Sequence, residues 1–158
     1  MHMEEQVEII KAINASRPFV ISLLQSEKLP TADLPDQLEN FYVAIKDNEV
    51  IGVIGLEKYG DCGLLRSMVV NRRYRSNGVA SKLVTALERQ AITLGVVSMY
   101  LLTETAASYF ERKGYERVDR SVVPEQIKST TEFSSTCPSS ATVMKKRITA
   151  EVTEDTRK

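Results

Sequence analysis

The chain has 158 residues, enough for one domain with a sizeable core, and its charge balances at 21 basic against 21 acidic residues. That balance argues against a general nucleic-acid or membrane-surface binder, and no apolar run approaches the roughly 20 residues that a membrane span needs. Cys62 and Cys137 make neither a disulfide framework nor a zinc pattern, and His2 is the lone histidine, so no metal site is expected. The polar start, Met1 to Glu5, has no signal-peptide apolar region, and a reducing cytoplasm is the expected compartment.

Val7 to Ala12 reads as a first strand. Asn14 or Ser16 is placed to cap the helix that follows, Pro18 suits its first turn, and Phe19, Val20, Leu23 and Leu24 should form its apolar face. The polar stretch 25–36, broken by Pro30 and Pro35, reads as a surface loop with room for a short second helix around 34–39. Phe41 to Lys46 and Val50 to Glu57 are strands joined by a hairpin turn at Asp47-Asn48-Glu49. Gly60 to Gly63 turns the chain into a third strand, Leu64 to Val70.

A basic turn, Asn71 to Arg75, precedes Gly78 and Ala80, which open a helix. Val79, Leu83, Val84, Leu87, Ala91 and Leu94 fall on one face of it, and Gly95 is the expected left-handed stop. Strand, tight turn and helix start make an anion site. The first N–H groups of a helix lack internal acceptors and lie at the positive end of its dipole, and phosphate is the natural guest. A P-loop would need Lys-Ser/Thr after its second glycine, and a dinucleotide fingerprint would need three spaced glycines; neither is present.

Val96 to Leu102 is a further strand, and the helix before it makes a β-α-β crossover that favours a parallel pair. Ala106 to Lys113 is a short helix stopped by Gly114, and Tyr115 to Val118 a short strand. A long polar connection, 121–140, contains a helical turn at Pro124 to Ser129. Ala141 to Lys146 is the last strand, and 149–158 reads as a frayed, charged tail beyond a domain spanning 1–148.

Arg75, Gly78 and Ala80, set between an apolar strand and an amphipathic helix, match the Arg/Gln-x-x-Gly-x-Gly/Ala pattern, and the chain resembles the GNAT N-acetyltransferases. Ala106 to Tyr115 is similar to the late helix of that family. Leu64 to Ser67, Tyr100 to Thr103 and Phe133 to Ala141 resemble its short amino-acid acetyltransferases, the N-acetylglutamate-synthase-like branch with relatives linked to arsenic resistance. The resemblance implies an α/β (α+β) fold, the acyl-CoA N-acyltransferase fold: one mixed, mostly antiparallel sheet with a central parallel β-α-β crossover.

It also implies a function: direct transfer of acetyl from acetyl-CoA to the amine of a small amino acid or similar compound. No metal, nucleic acid or membrane is involved, and a homodimer is left open. Met68, Val69 and Val70 would hold the pantetheine arm and acetyl carbonyl. Arg75, Ser76, Asn77, Gly78, Val79, Ala80 and Ser81 would hold the pyrophosphate. An α-amine with a pKa near 8 is about one-tenth neutral at pH 7, so a carboxylate acting through water suffices as base. Glu57 is the first candidate and Glu104 the second.

Arg66, a charge inside an apolar strand, is either half of a buried ion pair or a fork for the acceptor's carboxylate. Ser67 and Thr103 are placed to hydrogen-bond the acceptor, and the resemblance implies that the region 25–39 borders it. The tyrosine that often protonates the leaving thiolate in this family is replaced by Phe110, with Tyr109 one residue earlier and about 100° away around the helix, which leaves water, or Tyr109 with a shifted helix, as the candidate acid. Cys137, flanked by Pro138 and serines, reads as loop rather than acetyl carrier. Two rival readings are an acetyl-CoA-binding module without transfer and a protein-lysine acetyltransferase.

Overall fold

Continuous apolar runs build most of the strands, as where the six residues from Ile51 to Leu56 are all buried. In chain order the elements are β1 (Glu8–Lys11), α1 (Arg17–Ser26), β2 (Phe41–Lys46), β3 (Glu49–Tyr59), β4 (Cys62–Val70), α2 (Val79–Thr93), β5 (Ser98–Thr103), α3 (Ala107–Arg112), β6 (Glu116–Arg117), α4 (Glu125–Lys128) and β7 (Thr142–Arg147). The structure, a computed structural model, describes residues 7–29, 31, 34, 38–75, 78–129 and 141–148. The strands form a seven-stranded sheet in the order β1-β2-β3-β4-β5-β7-β6. Its one parallel pair, β4 with β5, runs over Cys62–Leu64 and Ser98–Tyr100 and is reached through α2, as the crossover requires.

The chain falls into two compact units. The first is Met1–Leu56 with Ser67–Gln90, the second Glu57–Arg66 with Ala91–Lys158. In the first unit β1 pairs antiparallel with β2 and β2 with β3, with a bulge between Ala44 and Ile45. Asp47 and Asn48 join β2 to β3 with φ of 51° and 65°, the two positive values that a type I′ turn needs. Val20, Leu24, Phe41, Val43 and Val53 form the core of this unit.

Gly55 faces Phe41 across the β2–β3 ladder, and a Cβ on Gly55 would overlap the Phe41 ring, which is 1% exposed. The ring has no free volume to move into, because interiors are close-packed. Gly55→Ala is therefore expected to cost about 1–3 kcal/mol, the usual penalty of overpacking. Thermal denaturation checks this, and an unchanged melting temperature would show that the ring can shift aside.

In the second unit β5 pairs antiparallel with β7, and β7 with β6. Leu64, Tyr100, Val123, Ile127 and Val143 make its core. Phe110 of α3 is buried and meets the Tyr115 ring edge-on at 5.4 Å.

Several expectations need correction. Phe19 is 60% exposed while Val20, Leu23 and Leu24 are buried, so the apolar face of α1 is narrower than its sequence suggests. Ser16 caps no helix N–H with its side chain. A 3-10 turn over Asn14–Ser16 precedes α1, and Ser16 Oγ accepts instead from the Ile13 N–H at 3.2 Å. Between 34 and 39 the described residues form no helix; Leu34 and Leu38 are buried against the first core, and 35–37 lie outside the described residues. β3 runs two residues beyond Glu57, to Tyr59, which puts Tyr59 on the same side of the strand as Glu57. The expected tail 149–158, Cys137 and the stretch Phe133 to Ser140 also lie outside the described residues.

Candidate active site

The first unit carries the expected coenzyme residues. β4 ends in Val69 and Val70, both 7% exposed, with Met68 half-buried. Asn71 follows, its N–H donating to the Ile51 carbonyl at 2.7 Å and its side chain accepting from the Arg73 N–H at 2.9 Å, which starts a 3-10 turn over Arg72–Tyr74. Gly78 has φ +80° and its carbonyl accepts the Lys82 N–H at 3.1 Å, so it stands where a helix cap stands. A Cβ on Gly78 would meet nothing within 4 Å. Val79 is buried, while Ala80 and Ser81 are half-buried in the first turn of α2. Ser76 and Asn77 lie outside the described residues.

Arg75 does not simply project into solvent. Its Nε donates to the Val70 carbonyl at 3.0 Å and its Nη2 to Glu27 Oε1 at 3.1 Å. Glu27 Oε2 accepts from Arg72 Nε at 3.1 Å. Hydrogen bonding to Arg72, and then to Arg75, holds the Glu27 carboxyl below its ordinary range against a partial opposing effect of burial. A depressed carboxylate stabilises the fold above its unfolded pKa, and that contribution is lost as pH falls through the folded value. Sequence reading missed Glu27 because Arg72 lies 45 residues away in the chain and Arg75 three further on.

The second unit carries the remaining candidates apart from Ser67, which belongs to the first. Arg66 is 3% exposed and donates from Nη1 to Glu57 Oε2 at 2.5 Å. Tyr59 donates its hydroxyl to Glu57 Oε1, also at 2.5 Å. Burial, and then the bond to the Glu57 carboxylate, pushes the Tyr59 phenol well above its ordinary pKa. Arg66 thus makes an ion pair with Glu57, the first of the two roles open to it. Tyr59 was also missed, although its spacing of two from Glu57 on a strand was a usable signal.

Thr103 Oγ1 accepts the Ala106 N–H at 2.9 Å, which fixes the chain ahead of α3. Glu104 is exposed. The Tyr109 ring lies edge-on to Phe110 at 5.2 Å with Lys113 Nζ 5.5 Å from its centre. Ser67 sits inside β4 at φ +59°, an unusual conformation for a non-glycine residue.

A cavity of about 490 Å³ in the first unit is lined by α1, the β2–β3 hairpin and Asn71, and by none of the expected coenzyme residues. Among the described residues no group of three or more His, Cys, Asp or Glu side chains is placed to hold a metal ion. No described helix is long and apolar enough to cross a membrane.

The strand, the basic turn and the glycine-started helix belong to a known family. The model of the acetyltransferase (GNAT) family matches residues 9–115, and the chain belongs to that family. Amino-acid acetyltransferase of Ectopseudomonas mendocina is 28% identical over 85 residues, 52% of this chain and 20% of that protein. The chain thus spans about a fifth of the length of this curated relative. An uncharacterised N-acetyltransferase of Chlorobaculum tepidum is 26% identical over 101 residues, 63% of this chain and 64% of that one.

Among solved structures, N-acetylglutamate synthase of Neisseria gonorrhoeae, complexed with coenzyme A and N-acetyl-glutamate, superposes with a TM-score of 0.78 at 16% identity. It covers 90% of this chain and 35% of its own. A Mycobacterium tuberculosis protein in complex with CoA gives 0.75 at 18% identity, covering 89% of this chain and 99% of its own. These likenesses show the shared fold, with its mixed and mostly antiparallel sheet.

Proposed function

We propose that this chain transfers acetyl from acetyl-CoA to the amine of a small amino acid or amino-acid-like compound. The observation that carries the reading is the phosphate-type site at the start of α2. There Gly78 takes φ +80°, leaves open space where a side chain would stand, and begins a helix whose first N–H groups have no helical acceptor. Membership of the acetyltransferase family and the similarity to amino-acid acetyltransferases support it. The neighbours that hold coenzyme A, one of them with N-acetyl-glutamate, support the choice of donor and of acceptor class.

The chemistry is direct. The neutral amine attacks the thioester carbonyl, a C–N bond forms and the C–S bond breaks. The amine's proton passes through water to a carboxylate, and the sulfur leaves as a thiolate that water protonates. An α-amine needs no strong base at neutral pH, since about a tenth of it is already neutral. Glu57 and the exposed Glu104 remain the candidate carboxylates, both in the second unit. Backbone N–H groups at the end of β4 are our candidates for stabilising the developing oxyanion.

Phe110 favours one rival. Its buried ring stands where many relatives carry the acid, so a module that binds acetyl-CoA without transferring acetyl is a second reading. The test is thiol release from acetyl-CoA against a panel of amino acids, amino-acid analogues (phosphinates and arsenicals included) and a lysine peptide, with products read by mass. Release above the amine-free blank with an acetylated amino acid is the expected result. Release no faster than the blank across the panel supports the module, and selective release with the peptide points to a protein-lysine acceptor.

A further inference from the structure

We propose that Glu27 is the positioning residue of the coenzyme's phosphate loop, a single carboxylate that clasps Arg72 and Arg75 and thereby sets the turn between β4 and α2. This rests on the acetyl-CoA reading above and adds a residue that the GNAT pattern does not contain.

Glu27 is the C-cap of α1, and the next residue, Lys28, turns the chain with φ +61°. The carboxylate therefore projects from a fixed point, the end of a helix whose Val20, Leu23 and Leu24 are buried in the first core. Each of its oxygens takes a different guanidinium, Oε1 that of Arg75 and Oε2 that of Arg72, both at 3.1 Å. Arg75 is gripped a second time through the Val70 carbonyl. Three backbone points are tied together: the end of α1, the end of β4 and the turn that leads to Gly78.

Exposure separates the roles. The Glu27 side chain is 17% exposed, against 75% for Arg72 and 49% for Arg75. The anion sits inward and the cations face out. A guanidinium has five N–H donors, and these bonds take one from Arg72 and two from Arg75. Among the described residues the remaining donors meet no acceptor, and two positive charges on one negative leave a net positive charge beside the helix start. Without the carboxylate, two like charges three residues apart across one 3-10 turn would repel and the loop would lose its anchor to α1.

Calorimetric titration of the full chain with coenzyme A tests this. Glu27→Ala is expected to raise Kd about tenfold, equivalent to one clasped contact of about 1.4 kcal/mol. Glu27→Gln, which keeps an acceptor oxygen without the charge, should fall between the two. Pantetheine, which lacks the pyrophosphate and nucleotide, followed by ligand-observed NMR, should bind wild type and Glu27→Ala alike. In an Arg72→Ala/Arg75→Ala background, Glu27→Ala should change coenzyme affinity less than twofold.

Equal weakening for pantetheine would mean a general loss of fold and overturns the assignment. So do unchanged coenzyme affinity in Glu27→Ala and tighter binding, the latter meaning that Glu27 competes with phosphate. Wild-type protein that binds no coenzyme A overturns the donor reading itself, a result distinct from wild-type binding that Glu27→Ala leaves untouched.

Discussion

Glu57→Ala is expected to lower the unfolding free energy by about 3 kcal/mol or more, a larger loss than Arg66→Met produces. The asymmetry follows from burial. The Arg66 side chain is 2% exposed and the Glu57 side chain 21%. Removing the carboxylate leaves a buried guanidinium without this counter-charge and takes the acceptor from the Tyr59 hydroxyl as well. Removing the guanidinium leaves a carboxylate that still reaches water and keeps Tyr59. Replacing both, as Glu57→Leu with Arg66→Met, should recover much of the loss, because an apolar pair of similar volume needs no desolvated charge.

Denaturant unfolding of the three variants measures this. Equal losses for the two single variants would mean that the pair is solvated and of little account. The kinetics have a matching signature. Arg66→Lys keeps the charge and loses the fork, so it should lower the melting temperature while all acceptors fall together. A rise in KM confined to acceptors with a carboxylate would instead make Arg66 the clamp.

Gly78→Asp is expected to weaken acetyl-CoA binding by roughly a hundredfold while leaving the fold intact. At φ +80° any side chain carries backbone strain, but aspartate visits positive φ more readily than most residues and a Cβ here meets nothing within 4 Å, so the strain comes without a clash. The new carboxylate would stand at the proposed phosphate site. Two unit charges about 4 Å apart repel by roughly 4 kcal/mol at the effective dielectric of a protein surface, and salt reduces that. Gly78→Asn carries nearly the same shape without the charge. The gap between the Asp and Asn variants in calorimetry is the electrostatic share, and it should shrink as salt rises. Both variants binding as tightly as wild type would remove the pyrophosphate from this turn.

What could be read in advance was whatever depends on local order. Val79, Leu83, Val84, Leu87 and Ala91 are all buried, as helical spacing in α2 demands. Gly95 and Gly114 take positive φ after α2 and α3, the left-handed stops their positions suggest. The parallel pair followed from a strand, a helix and a second apolar strand in succession. Phe19 misled because spacing alone cannot tell how wide a helix face is covered; the neighbouring elements decide that.

The ionic partners were beyond reach for a different reason. Glu27 meets Arg72 and Arg75 only after α1 and β4 have folded into the same unit, and nothing near it in sequence marks it. Arg66 was recognisable as a charge in need of an answer, since an apolar strand does not tolerate a lone guanidinium. Which answer it takes, Glu57 on the preceding strand, depends on the β3–β4 pairing and on β3 running on to Tyr59.

Ser67 gives β4 a discontinuous reading frame. At φ +59° it interrupts the two-residue alternation, and the buried run Gly63–Arg66 is followed by half-buried Ser67 and Met68 and then by Val69 and Val70, both buried. A strand with such a phase slip tolerates substitution far better than insertion or deletion. A one-residue loss or gain where the strand alternates regularly would turn every side chain beyond it, Val69 and Val70 included, to the opposite face. The length of the stretch from Cys62 to Asn71, more than the identity of its side chains, is therefore what the placement of Val69 and Val70 depends on.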